Sequence, residues 1–186
     1  MSAGSGQCQM RSFTLRELLS LGYHMPAERI LGEVVEEPTR YDASLLASGT
    51  DEDDLLELLP KVLGAAFHIS VKRETRPTLA WVLKAPHGRP DLLVKTAGPG
   101  GMSQSGNGEI KGIGMPMEEF VKMVQSVLAK PVVDETHLSG AFDVQLKYDA
   151  GRPESILDTL RAHGFDAQQK TRPVEFLITT RNNPRD

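Results

Sequence analysis

The spacing of apolar side chains changes period along this chain, and it does so twice in the same order. Tyr41, Ala43 and Leu45 alternate with polar residues, and so do Phe142, Val144 and Leu146. Period two is the mark of a strand with one face buried. In each case a helical period follows. Leu55, Leu58, Leu59 and Val62 share one predicted face, behind Thr50 and the acidic residues Asp51 to Asp54, which suit a helix N-terminus. Ile156, Leu157 and Leu160 follow Pro153, a residue favoured at a helix start. Each helix is expected to stop at a glycine with an aromatic close behind, Gly64 with Phe67 and Gly164 with Phe165. Thr75-Arg76-Pro77 then opens an apolar strand over 79–83, and Thr171-Arg172-Pro173 opens another over 174–179.

The parallel extends upstream. Thr14-Leu15-Arg16-Glu17 is a capping-box pattern leading into Leu15, Leu18 and Leu19. Its counterpart, Pro116-Met117-Glu118-Glu119, leads into Phe120, Val121, Val124 and Leu128. Short apolar segments, Ile30-Leu31 and Val132-Val133, follow these helices. Each half thus reads as helix, short strand, strand, helix and strand pair, which predicts an internal duplication. The expected fold is α+β, with two related units of short helices packed on small, mostly antiparallel or mixed sheets. Residues 1–11 read as a flexible lead-in, 12–96 as the first unit, 97–114 as a Gly-rich linker, 115–180 as the second unit, and 181–186 as a tail. Ala85 to Pro90 is a predicted turn joining 81–84 to 92–95. Units of about 80 residues are marginal alone, so the two are expected to pack together.

Composition narrows the function classes. The 186 residues carry a net charge of −4 and only 5% aromatic side chains. With no Lys/Arg run longer than two, nucleic acid is not an expected partner. No apolar run approaches the roughly 20 residues that span a bilayer, so this segment is not expected to insert into a membrane. The single cysteine, Cys8, excludes an intramolecular disulfide framework and any Cys-based zinc site. The N-terminal residues lack the basic and apolar regions of a signal peptide.

Local arrangements that carry chemistry are not found. His24, His68, His87, His137 and His163 show neither i, i+4 nor His-x-His spacing, so no metal is expected. The stretch from Gly98 to Gly114 lacks the Gly-Lys-Ser/Thr ending of a phosphate loop, and no cofactor is expected. No Gly-x-Ser-x-Gly elbow occurs, and Cys8 lies in a polar segment with no base beside it. The acidic runs 33–37 and 51–54 lack the alternation of a calcium loop and read as a solvated face and a helix cap. The protein is therefore not expected to be an enzyme.

Val71-Lys-Arg-Glu-Thr-Arg-Pro77 with Leu79-Ala-Trp-Val-Leu-Lys84, and Lys130-Pro-Val-Val-Asp-Glu-Thr-His-Leu-Ser-Gly-Ala-Phe-Asp-Val-Gln-Leu146, resemble the motifs of the soil-associated bacterial proteins of unknown function. The segments at Ile156–Leu160, Gly164-Phe165 and 172–178 are similar to that family's closing motif. The resemblance implies an extracytoplasmic setting, periplasmic or secreted. Members begin with an export signal and an extra strand, so the chain is expected to be a portion of a larger exported protein. In some relatives the domain is attached to a membrane-bound peptidase sensor or a thioredoxin-like protein. The order of elements also looks like the short N-terminal domain of secretins and TonB-dependent receptors, a fold-level analogy. Pro60 falls where the family has an uninterrupted helix, so a kink or an early helix end is expected there.

Asp134, Thr136, Gly140 and Asp143 lie in the family signature. They read either as turn and strand residues satisfying backbone groups or as part of a binding site. Arg76 and Arg172 are expected to pair with Asp42 or Asp143 across neighbouring strands. The candidate binding residues are Asp134, Thr136, His137, Asp143 and Arg172. The leading expectation is a non-catalytic binding or sensing module of the bacterial envelope. It would act through protein contacts, with an envelope component or a fused domain as partner, at exposed strand edges. The alternatives are an enzyme whose site is assembled between the two units and a structural spacer.

Overall fold

The computed structural model of the chain describes residues 2–4, 7–46, 52–96 and 101–182. The fold is α+β, with four α-helices and three small sheets among the described residues. The chain divides into two compact units. The first comprises Met1–Arg76 and Glu175–Asp186, and the second Pro77–Val174.

In the first unit, β1 (Ser2–Gly4) lies antiparallel to β2 (Gln7–Thr14), which lies antiparallel to β4 (Arg40–Leu46). α1 (Leu15–Tyr23) starts at the capping box. The Thr14 hydroxyl accepts the Glu17 N–H at 3.2 Å, and the Glu17 carboxylate accepts the Thr14 N–H at 2.7 Å. Ile30 and Leu31 form β3 (Ile30–Leu31), parallel to Leu177 and Ile178 of β11 (Asp166–Arg181). α2 (Glu52–Ala66) runs six residues past Pro60, so the early end expected there does not occur. The proline ring is packed against Gly22 of α1, where a Cβ would stand 2.7 Å from Pro60 Cδ. A glycine at this point lets the two helices approach closely. The face α2 buries consists of Leu55, Leu56, Leu59 and Leu63, whereas Leu58 and Val62 of the predicted face are exposed. The predicted cap at Thr50 and Asp51 lies outside the described residues.

In the second unit, β6 (Leu93–Lys95), β7 (Met102–Gly106), β8 (Glu109–Pro116) and β10 (Ala141–Lys147) form an antiparallel sheet of order β6-β10-β8-β7. α3 (Met117–Leu128) and α4 (Ser155–Ala162) supply Phe120, Val124, Leu128, Ile156 and Leu160 to a core shared with Phe142, Val144 and Leu146. Phe120 and Phe165 stack at 5.9 Å between ring centroids. β9 (Val132–Asp134) lies parallel to Trp81–Leu83 of β5 (Ile69–Lys84).

Three sequence expectations need correction. The segment read as a lead-in contains the first five residues of β2, of which Cys8 and Met10 are fully buried. They alternate with Gln9 and Arg11, so a strand period was present but masked by polarity. The segment read as a linker contains β7 and most of β8, and its Ile110 is a core residue. Asn107 and Gly108 both have positive φ, 50° and 79°, the backbone of a type I′ hairpin turn. Residues 97–100 of that segment lie outside the described residues. Lastly, β5 and β11 are each 16 residues long and begin well before Thr75 and Thr171. Their Thr-Arg-Pro segments do not open the strands but sit beside the points where the chain passes from one unit to the other. A proline has no N–H for a ladder, which suits it to that position.

In chain order β2, α1, β3, β4, α2 and β5 are followed, after β6 and β7, by β8, α3, β9, β10, α4 and β11. β5 and β11 each run from one unit into the other.

Candidate functional site

The signature from Pro131 to Gly140 forms an edge strand and the turn that follows it. Trp81 N–H donates to Pro131 C=O at 2.9 Å, and Glu135 N–H to Leu83 C=O at 2.9 Å, fastening β9 to β5 at both ends. The buried Gln125 side chain of α3 accepts the Val132 N–H at 3.2 Å. Beyond the strand, the Asp134 carboxylate accepts the Thr136 N–H at 2.8 Å, and the Thr136 hydroxyl accepts the Leu138 N–H at 3.2 Å. These two local bonds turn the chain, a task suited to Asp and Thr. His137 is exposed with φ 58°, and Gly140 has φ 106°, so the turn uses left-handed backbone twice.

Asp143 is committed elsewhere. Phe142 lies opposite Met115 and Val144 opposite Gly112, so Ile113 and Gly114 together face the single residue Asp143. This is a β-bulge, and Gly114 occupies it with φ 62°. The bulge leaves the Gly114 N–H outside the ladder, and the Asp143 carboxylate accepts it at 2.9 Å. The first unit repeats the device. Tyr41 faces Phe13 and Ala43 faces Met10, so Arg11 and Ser12 oppose Asp42. Ser12 has φ 60°, and its N–H donates to Asp42 at 2.8 Å. The Arg40 guanidinium in turn donates to the Ser12 C=O at 2.5 Å. In both units the N-cap of the next helix follows two residues later, at Thr14 or Pro116. The aromatic–Asp pair legible in the sequence is thus the half of a bulge that satisfies its stray N–H.

Arg172 pairs with neither aspartate. Its Nε donates to Glu135 Oε1 at 2.5 Å, while Lys84 Nζ stands 3.3 Å from Glu135 Oε2. Arg76 pairs with Glu74 two residues away, at 2.7 Å. Both findings correct the pairing expected across neighbouring strands. The Arg172 hydrogen bond above all, then Lys84, holds the Glu135 carboxyl down at about 2, and the Arg172 guanidinium is correspondingly raised. Glu135 therefore ties β9, β5 and β11 together within the second unit. Sequence reasoning passed over it, although an acid one residue after Asp134 in the signature was the available signal.

Of the five candidates, Asp134 and Thr136 share one turn with His137, Arg172 reaches that turn through Glu135, and Asp143 is bound to the bulge. Among the described residues no group of three His, Cys, Asp or Glu side chains is placed to hold a metal ion. An open pocket of about 260 Å³ in the second unit is lined by Trp81, Arg152, Leu157 and Arg161 among others. Another, of about 650 Å³ in the first unit, is lined by Gly32, Glu33, Glu37, Thr179 and Arg181 among others. Neither pocket includes a candidate residue.

The outer face of the second unit's sheet carries apolar side chains that were not singled out in the sequence. Val94 faces Asp143, Asp143 faces the Ile113–Gly114 bulge, and Ile113 faces Met102. Val94, Ile113 and Met102 are 58%, 44% and 62% exposed, so an exposed apolar row crosses all four strands with only Asp143 interrupting it. β7 forms one edge of this sheet, and all five of its residues are exposed.

Among known proteins, residues 16–178 match the family model described as protein of unknown function (DUF3738). No curated protein and no solved structure matches the chain.

Proposed function

We propose that this chain, which belongs to the DUF3738 family of proteins of unknown function, is a non-catalytic binding module of the bacterial envelope that acts through protein contacts. The observation that carries the reading is the row of Met102, Ile113 and Val94 on a sheet whose β7 edge is open to solvent. Apolar side chains gathered on one exposed face favour a protein surface as partner, and β7 offers main-chain groups for an added strand. The commitments of Asp134, Thr136, Asp143 and Arg172 to turns, a bulge and an ion pair support the same reading, since a catalytic group must be available to substrate. The extracytoplasmic setting rests on the resemblance of the Lys130–Leu146 signature to exported proteins.

The test is site-specific photo-cross-linking in the native host, with the reactive group at position 102 and a control at exposed Arg152. A discrete adduct with an envelope protein is expected from position 102 alone, and Ile113→Lys should abolish it. Equal yields from both positions, or an adduct indifferent to Ile113→Lys, would refute the proposal.

A further inference from the structure

The two units treat their aromatic–Asp strands differently. In the second, β10 has a neighbour on each side, β8 on one and β6 on the other. In the first, the sheet order is β1-β2-β4, and among the described residues β4 has β2 alone beside it. The strands otherwise agree residue by residue, since Tyr41-Asp42-Ala43 and Phe142-Asp143-Val144 face the same two-against-one bulge and bind its N–H in the same way.

The second unit shows what a flanking strand does for this position. β6 lies antiparallel, with Lys95 opposite Phe142, Val94 opposite Asp143 and Leu93 opposite Val144. Leu93 is 1% exposed and closes the core beside Val144, so that Phe142 and Val144 are each 3% exposed. Tyr41 and Ala43 take the same inward positions on β4 but are only half-buried. That is the difference expected where the main-chain edge and the flank of the core both lack a covering strand.

We infer that the open edge of β4 is a docking slot for an extended segment of a partner polypeptide, added antiparallel in the position β6 takes beside β10, with an aliphatic side chain of leucine size opposite Ala43. The main chain of β4 supplies ladder hydrogen bonds, and the inward position supplies selectivity. Ala43 is smaller than Val144, so a leucine opposite it meets no obstruction that Leu93 does not meet beside β10. The residue opposite Asp42 points to solvent, as Val94 does, and must not be acidic. A second copy of this chain fits poorly. Self-pairing centred on β4 sets Ala43 against Ala43 and leaves the inward position unfilled. This edge belongs to the first unit and the Met102–Ile113–Val94 face to the second, and the two readings rest on different observations, so either can fail without the other.

The probe is a terminally blocked peptide of residues 89–96, Arg-Pro-Asp-Leu-Leu-Val-Lys-Thr, titrated into the intact chain and followed by amide NMR. Saturable shifts confined to Arg40–Leu46 and their β2 partners are expected, with slowed exchange of β4 amides. The same peptide bearing Leu93→Asp should produce neither. The inference is overturned if shifts appear only on β10 and β8, which would mean exchange with the resident β6, or if β4 stays unchanged at the solubility limit of the peptide. It is equally overturned if β4 amides become protected on concentrating the protein without peptide, since that assigns the edge to a second copy.

Discussion

Replacing Asp143 by alanine tests the bulge most directly. The change removes the acceptor of the Gly114 N–H, a 2.9 Å half-buried contact, and leaves a donor that no ladder partner can reach. A hydrogen bond to a charged acceptor is worth about 1.5–3 kcal/mol, and partial access of water lowers this to about 1–2 kcal/mol. For a urea dependence of about 2 kcal/mol per molar, the unfolding midpoint should fall by about 0.5–1 M. Trp81, the chain's one tryptophan, lies in the same unit as Asp143, so its fluorescence follows the relevant transition. Asp143→Asn keeps an oxygen in place and should recover most of the loss. Asp42→Ala breaks the equivalent 2.8 Å contact at an exposed site, where water can replace the carboxylate, so its cost should be about half as large. A midpoint unmoved by Asp143→Ala, or an asparagine variant as unstable as the alanine one, would refute the account of this carboxylate as the bulge's acceptor.

Two further perturbations address each unit separately. Gly22→Ala places a Cβ 2.7 Å from Pro60 Cδ and 3.2 Å from Leu59 Cβ. The overpacking, about 1–3 kcal/mol, outweighs the gain of about 1 kcal/mol in helix propensity. The melting temperature should drop, and Pro60→Ala in the same chain should restore it; a rise with Gly22→Ala alone would contradict the close packing. Glu135, held at about 2 against an ordinary 4.5, stabilises the native state above pH 4.5, and that contribution disappears as pH falls towards 2. The gap in melting temperature between wild type and Glu135→Gln should be constant above pH 5 and close between about 4.5 and 2. A gap that persists at pH 2 would show that the ion pair is not its source.

Strong periodicity made α3, α4 and β10 legible in the sequence, because a long apolar stripe or a clean alternation admits one reading. β2 and β8 escaped for different reasons. In β2 the buried side chains are Cys8 and Met10, spaced among glutamines that suggest a soluble tail. In the β7–β8 hairpin, abundant glycine suggested a linker, whereas Asn107-Gly108 was itself a hairpin signal. The first halves of β5 and β11 are rich in charge and carry no apolar alternation, so their length depends on neighbours that the sequence does not reveal. The same limit applies to the candidate site. The turn-forming character of Asp134 and Thr136 follows from their chemistry, but the choice of Glu135 over Asp143 as partner of Arg172 is set by strand register, which only the folded chain supplies.

The route of the chain through its two units bears on how it is made. The second unit is continuous from Pro77 to Val174, so all of its strands have left the ribosome before the first unit has all of its own. β3 must wait for Leu177 and Ile178, which are translated after the whole of the second unit. Synthesis therefore delivers a complete second unit while Ile30 and Leu31 still lack their ladder partner, and the first unit closes through the strand pairing most distant in sequence among the described residues. Because such pairing is slow to form, the end of β11 works as a late clasp. A ribosome that stalls, or a protease that cuts, between Val174 and Leu177 would leave residues 77–174 whole and deprive β3 of its only parallel neighbour among the described residues.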